Sequence, residues 1–220
     1  MGNRTVIIAG ATGLVGNEIL KGLLSDGTVA AVRILARRAP AIQHPKLTVH
    51  IVDFAALPAL PPADEVYLAL GTTIKVAGSQ AAFRAVDHDA NLAVATAALA
   101  AGARRAGLVS AMGADANSKA FYGRVKGELE DALAQMPFDG LVIARPSLLV
   151  GNREIVGQPN RRGEEWGLAL GKSLGFLVPA NYKPIEAAAV AKALLSEVPS
   201  ARGRKILLSG AMQQGALPAR

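Results

Sequence analysis

Thr5-Val-Ile-Ile-Ala-Gly-Ala-Thr-Gly-Leu-Val-Gly16 is the stretch that decides how every other segment is read. Val6 to Ala9 favour a strand and run straight into three glycines at three-residue spacing, Gly10, Gly13 and Gly16. Ile19, Leu20, Leu23 and Leu24 then recur at helical period. Strand, glycine turn and helix in that order open a dinucleotide-binding βαβ unit. Gly10 allows the sharp turn off the strand, Gly13 leaves room for a pyrophosphate against the backbone, and Gly16 lets the helix pack closely. The helix N-terminus adds unpaired N–H groups and a positive dipole end. The expected cradle is Gly10, Thr12, Gly13, Leu14, Val15 and Gly16.

Working outward, strands and helices alternate. Strands are expected at Ala31–Ala36, Leu47–Val52, Glu65–Leu70, Arg105–Ser110, Gly140–Ala144 and Lys205–Leu208. Helices are expected over about 79–101, alanine-rich and closed by Gly102, over 121–135, stopped before Pro137, and over 185–197. The pattern predicts an α/β Rossmann fold, doubly wound, with a mostly parallel sheet and helices on both faces. At 220 residues a single domain, 1–220, is expected. A small substrate lobe is placed at about 151–184, with Trp166, Phe176, Leu177 and Tyr182 as candidate walls or core residues.

The end of the second strand bears on the cofactor. An NAD site usually carries an acid there for the ribose 2′-hydroxyl. This chain reads Ile34-Leu-Ala-Arg-Arg38, with no Asp or Glu between Asp26 and Asp53. Two guanidiniums, Arg37 and Arg38, suit a 2′-phosphate, so NADP(H) is expected over NAD(H). After the third strand, Asp53 could accept from the adenine amino group or serve only its turn, and Phe54 beside it is expected to line the cofactor.

Chemistry is expected at the carboxyl ends of the fourth to sixth strands. Ser110 ends the fifth strand, and Tyr122-Gly-Arg-Val-Lys126 opens a helix twelve residues later. Spacing of four puts Tyr122 and Lys126 on one helical face. An ammonium near a phenol favours the phenolate, which makes tyrosine a usable acid/base for an oxygen whose carbon exchanges hydride. Ser110 could donate to the same oxygen.

These features make the chain resemble a short-chain dehydrogenase/reductase of the atypical kind, most similar to the small Tat-interacting-protein-like oxidoreductases. The resemblance rests on Gly10-Ala-Thr-Gly-Leu-Val-Gly16, Leu70-Gly-Thr-Thr73, Val86-Asp-His-Asp89, Val109-Ser-Ala-Met-Gly-Ala-Asp115, Tyr122-Gly-Arg-Val-Lys-Gly-Glu128 and Arg145-Pro-Ser147. Tyr182-Lys-Pro-Ile185 fits as well. It implies a seven-stranded sheet, bound NADP(H), and Ser110, Tyr122 and Lys126 as the catalytic set, with Lys126 also on the nicotinamide ribose. Leu70, Gly71, Thr72 and Thr73 would line the cofactor, and Pro146 and Ser147 would flank the nicotinamide. Asp87 stands where sugar-modifying relatives have Asn, so the resemblance assigns no fourth catalytic residue; Asn91 is a neighbour.

Composition narrows the classes further. Apolar residues are 51% and charged residues 19%, as in a globular chain. Without cysteine there are no disulfides, and the three histidines stand apart, so no metal site is expected. The net charge of +7 is scattered, and aromatics at 4% are too few for base stacking, which argues against nucleic acid. Apolar runs are broken within about 18 residues, so no membrane span is expected. The N-terminal run is too short and glycine-punctuated for a signal peptide. A cytoplasmic location follows as the expectation, with a small-molecule substrate as partner and a homodimer left open. The expected activity is NADP(H)-dependent oxidoreduction of a small carbonyl or alcohol. The alternative is a binding protein that senses the dinucleotide without turnover.

Overall fold

The computed structural model describes residues 4–150 and 179–215. The chain begins with β1 (Arg4–Ala9), α1 (Leu14–Ser25), β2 (Val29–Ala36), β3 (Leu47–Ile51) and β4 (Glu65–Leu68). Next come α2 (Ile74–Ala77), α3 (Gln80–Arg84), a π-helical segment (Ala85–Ala90), α4 (Asn91–Ala100) and β5 (Arg105–Val109). After α5 (Phe121–Ala134) follow β6 (Gly140–Arg145), β7 (Leu149–Val150) and β8 (Ile185–Glu186). The last elements are α6 (Ala187–Glu197), β9 (Gly203–Leu208) and α7 (Ser209–Gln214).

Seven strands form one sheet in the order β3-β2-β1-β4-β5-β6-β9. Every pairing in it is parallel. The fold is therefore a Rossmann-like α/β sandwich, and β1 lies at its heart. Val6 and Ile8 point into one core with α1 and α6, while Ile7 and Ala9 point into the other with α4 and α5. All four are fully buried, which is why β1 reads as an unbroken apolar run instead of an alternating one. Burying a side chain such as Ile7 or Ile8 contributes about 1.5–3 kcal/mol.

Two details depart from the expected elements. The long alanine-rich helix is not continuous: the π-helical segment interrupts it and carries Asp87 and His88, both buried. Such insertions often accompany functional sites. The second departure is a pair of two-residue strands, β7 and β8, which joins the chain after β6 to the entry of α6.

At the amino end of the sheet, Glu65 is fully buried and accepts two hydrogen bonds from Arg4 at 2.8 Å each. Arg4 also reaches Asp26 at 2.6 Å. A buried carboxylate is tolerable there because it is paired. This network ties β1 to β4 at the end opposite the glycine turn.

Candidate functional site

The strand register brings the expected site residues to one edge. Ala9 pairs with Leu35 on one side and Leu68 on the other, Leu68 pairs with Leu108, and Val109 pairs with Ala144. Gly10, Arg37, Ala69–Thr73, Ser110 and Arg145–Ser147 therefore all leave the sheet at its carboxyl end, where open α/β sheets bind ligands.

The glycine turn has the geometry a pyrophosphate needs. Gly10 has φ +89°, and a Cβ there would stand 2.3 Å from the Ala69 backbone. At Gly16 a Cβ would lie 2.0 Å from the Gly10 carbonyl oxygen, so only glycine lets α1 start this close to β1. Gly13 is the N-cap of α1 and offers no side chain to it, and the first turn holds no acid. The N–H groups of Leu14, Val15 and Gly16 precede the first bond within the helix, Asn17 N–H to the Gly13 carbonyl at 2.9 Å. A Cβ on Gly13 would meet only the Gly10 oxygen at 3.3 Å and the Ala69 oxygen at 4.0 Å. An anionic diphosphate fits this open, uncapped helix end. Thr12 is exposed in the turn, whereas the Val15 side chain joins the core, leaving Val15 only its backbone for a ligand.

Arg37 and Arg38 follow the end of β2 directly, both exposed and level with the glycine turn. Asp53 is exposed after β3, and its Oδ1 accepts from the Ala55 N–H at 2.9 Å. Of its two expected roles, the turn role is the one this geometry displays. Phe54 packs its side chain against the α4–α5 core.

Beyond β4, the Leu70–Thr73 loop is held from beneath. The Leu70 carbonyl accepts from Asn91 Nδ2 at 3.1 Å, and the Thr72 N–H donates to Asp87 Oδ2 at 2.8 Å. Thr73 caps α2, accepting from the Val76 N–H at 3.1 Å. Asn91 is fully buried and also donates to the Val86 and Asp87 carbonyls, binding groups in the π-helical segment.

Lys126 and Tyr122 share one face of α5 but not one environment. Lys126 is buried, and its Nζ lies 2.7 Å from Asp87 Oδ1. Tyr122 is 42% exposed, its ring 5.5 Å from that of Phe83, and its hydroxyl bonds to no described residue. The expected lysine–phenol pairing is thus corrected: the direct partner of the ammonium is Asp87. A buried ammonium needs a counter-charge close by, which Asp87 supplies and an exposed phenol does not.

Ser110 departs further from expectation. Its side chain is buried, and the hydroxyl donates to Glu130 Oε1 at 2.5 Å. Glu130 is itself buried and takes a forked pair of bonds from Arg145, Nε to Oε1 at 3.0 Å and Nη2 to Oε2 at 2.6 Å. Those bonds push the Arg145 guanidinium above its ordinary value. The Ser110 proton is aimed at a carboxylate, not at a substrate oxygen as expected. Sequence reasoning missed Glu130, although Tyr122, Lys126 and Glu130 recur every four residues along one face of α5. Two charges on the inward side of that helix were the available signal.

Pro146 is buried, and its carbonyl accepts from the Met112 N–H at 2.8 Å. The Ser147 hydroxyl donates to the Lys183 carbonyl and meets the Ser209 hydroxyl at 3.0 Å. Of the candidate lobe walls, Tyr182 is 65% exposed on a short 3₁₀ turn. Trp166, Phe176 and Leu177 lie outside the described residues.

The sequence profile of the NAD(P)H-binding family matches residues 10–146, from the glycine turn to the residue after β6, and the chain belongs to that family. Among its relatives is the protein FMP52, mitochondrial, of Coccidioides immitis, 40% identical over 166 residues, covering 68% of each chain. The FMP52 protein of Candida albicans is 33% identical over 197 residues, covering 86% of this chain and 85% of the relative. Solved structures show the same fold. The Bordetella bronchiseptica enzyme WbmH in complex with NAD+ has a TM-score of 0.68 at 17% identity, covering 99% of this chain and 83% of that one. The oxidoreductase ylbE of Lactococcus lactis has a TM-score of 0.62 at 18% identity, covering 96% and 95%. The resemblance to the atypical short-chain dehydrogenase/reductase superfamily holds. The expected cytoplasmic location does not: these FMP52 relatives are named as mitochondrial proteins. The absence of cysteine argued only against disulfides and carried no address.

Proposed function

We propose that the chain is an NADP(H)-dependent oxidoreductase acting on a small carbonyl or alcohol, with Tyr122 as its acid/base. The observation that carries this reading is the placement of Tyr122 at the carboxyl end of β5. Its ring is held by Phe83 and its hydroxyl is bonded to no described residue, one helical turn from a buried lysine. The Gly10–Gly16 turn would hold the diphosphate on the α1 N-terminus, and Arg37 and Arg38 would take the 2′-phosphate. A dinucleotide held there would supply the hydride. Tyr122 gives its phenolic proton to the substrate oxygen as the attached carbon gains hydride, producing the alcohol; oxidation runs the same steps backwards. Lys126, tied to the Leu70–Thr73 loop through Asp87, would be the residue that holds the nicotinamide ribose. The mitochondrial names of the relatives support reading the setting of this chain as mitochondrial.

One observation favours a second reading, a dinucleotide-sensing protein without turnover: the Ser110 hydroxyl is committed to Glu130. Tyr122→Phe separates the two. It keeps the ring against Phe83 and deletes the only proposed proton donor. A panel of small carbonyl compounds followed by NADPH absorbance should show kcat lowered by roughly 10²–10⁴-fold, with NADPH affinity unchanged. Turnover at the native rate would make the tyrosine a packing residue and leave the sensor as the better reading.

A further inference from the structure

The Asp87 carboxylate joins three parts of the fold. Its Oδ2 accepts from the Thr72 N–H at 2.8 Å, and its Oδ1 stands 2.7 Å from Lys126 Nζ. Its own backbone lies in the π-helical segment, where Asn91 Nδ2 takes the Asp87 carbonyl at 3.1 Å. Both partners of the ion pair are withdrawn from water, with side chains 5% exposed for Lys126 and 1% for Asp87. Neighbouring contacts clamp α5 to α3, which runs directly into the π-helical segment: Phe83 against Phe121 and Tyr122, and Arg84 against Glu128. Together α3 and the π-helical segment meet α5 through aromatic contacts and two ion pairs, and among the described residues only the Asp87 pair also touches the loop after β4.

A long lysine side chain carries several rotatable bonds, and an ammonium in a dry site needs a fixed counter-charge. Asp87 supplies both the charge and the direction. Its second oxygen, spent on the Thr72 amide, ties that direction to the backbone of the cofactor loop. We propose that Asp87 is the positioning residue of the site, holding Lys126 and the Leu70–Thr73 loop in register so that both meet the same dinucleotide. This inference rests on the NADP(H) reading above. It assigns Asp87 no contact with substrate and no proton transfer.

The test is a double-mutant cycle on the full chain, with NADPH affinity read by fluorescence titration and folding by circular dichroism. Asp87→Asn removes the charge with little change of shape and should weaken NADPH by about tenfold or more, the scale of one lost charge-assisted bond. Lys126→Met should weaken it also. The double variant should lose less than the product of the two single losses, since part of the Asp87 effect runs through the ammonium. If Asp87→Asn fails to fold, amide exchange at Thr72 in the double variant, set against Lys126→Met, still decides. Backbone hydrogen exchange at Thr72, measured without cofactor, should accelerate in the double variant as its charged acceptor is lost. Losses that multiply in the double variant, unchanged affinity in a folded Asp87→Asn, or native exchange at Thr72 would each overturn the proposal. A native chain that binds no nicotinamide dinucleotide would overturn the functional reading itself, and this inference with it.

Discussion

The Asp26 carboxylate accepts from both the hydroxyl and the N–H of Thr28 at 2.7 Å and pairs with Arg4 at 2.6 Å. The Thr28 side-chain bond, then its backbone bond, hold Asp26 below the ordinary carboxylate value, with Arg4 adding to the effect. A depressed value in the folded chain means that the unfolded chain binds more protons in the acid range. The stability Asp26 contributes is therefore present above about pH 4, the unfolded value, and lost as pH falls through the folded one. Urea unfolding as a function of pH should show a shallower acid-side decline for Asp26→Asn than for the native chain; equal slopes would remove Asp26 from that role. Individual residues also mark the limit of what sequence conveys. Tyr122 and Lys126 were legible as a helical pair, but the partners of Lys126 and Ser110 were not. Asp87 and Glu130 come from elements distant in sequence, and only packing decides which inward charge meets which.

At the scale of elements, the turn from β1 into α1 carries two separable demands. Gly16 answers to packing: even a methyl group would lie 2.0 Å from a backbone oxygen. Gly16→Ala should cost about 1–3 kcal/mol, the range for overpacking, which for a chain of this size lowers Tm by roughly 2–4 °C per kcal/mol. Gly13 answers to the ligand. Its φ of −80° suits any residue and a Cβ would press only on the Gly10 oxygen at 3.3 Å, which a small shift relieves, so Gly13→Val should keep native circular dichroism and lose NADPH binding. A Gly13→Val protein that still bound NADPH would place the phosphates elsewhere. Element boundaries follow the same division between local and distant causes. The seven sheet strands begin and end within two residues of the sequence reading, because buried apolar runs and glycine or proline stops are local signals. The π-helical segment was invisible because alanine-rich sequence reads as helix throughout, while the bonds from Asn91 that satisfy it are tertiary. Strands β7 and β8 exist only by pairing with each other.

For the whole molecule, the parallel sheet fixes where a ligand goes and leaves open which one. Family membership secures an NAD(P)H-binding chain, and the fold secures a Rossmann-like sheet with its glycine turn at the carboxyl edge. Location was not legible in composition, and the mitochondrial names of the relatives correct it. The choice of cofactor rests on two exposed arginines after β2, in a stretch from residue 27 to residue 52 without a single acid. Each charge-assisted bond they would make to a 2′-phosphate is worth about 1.5–3 kcal/mol, and every 1.4 kcal/mol is about tenfold in affinity. The measurement that tests this most directly is a parallel titration of the native chain with NADPH and NADH, followed by protein fluorescence. Our reading predicts that NADPH binds tighter by about tenfold or more; equal affinity for the two, or tighter binding of NADH, would contradict it.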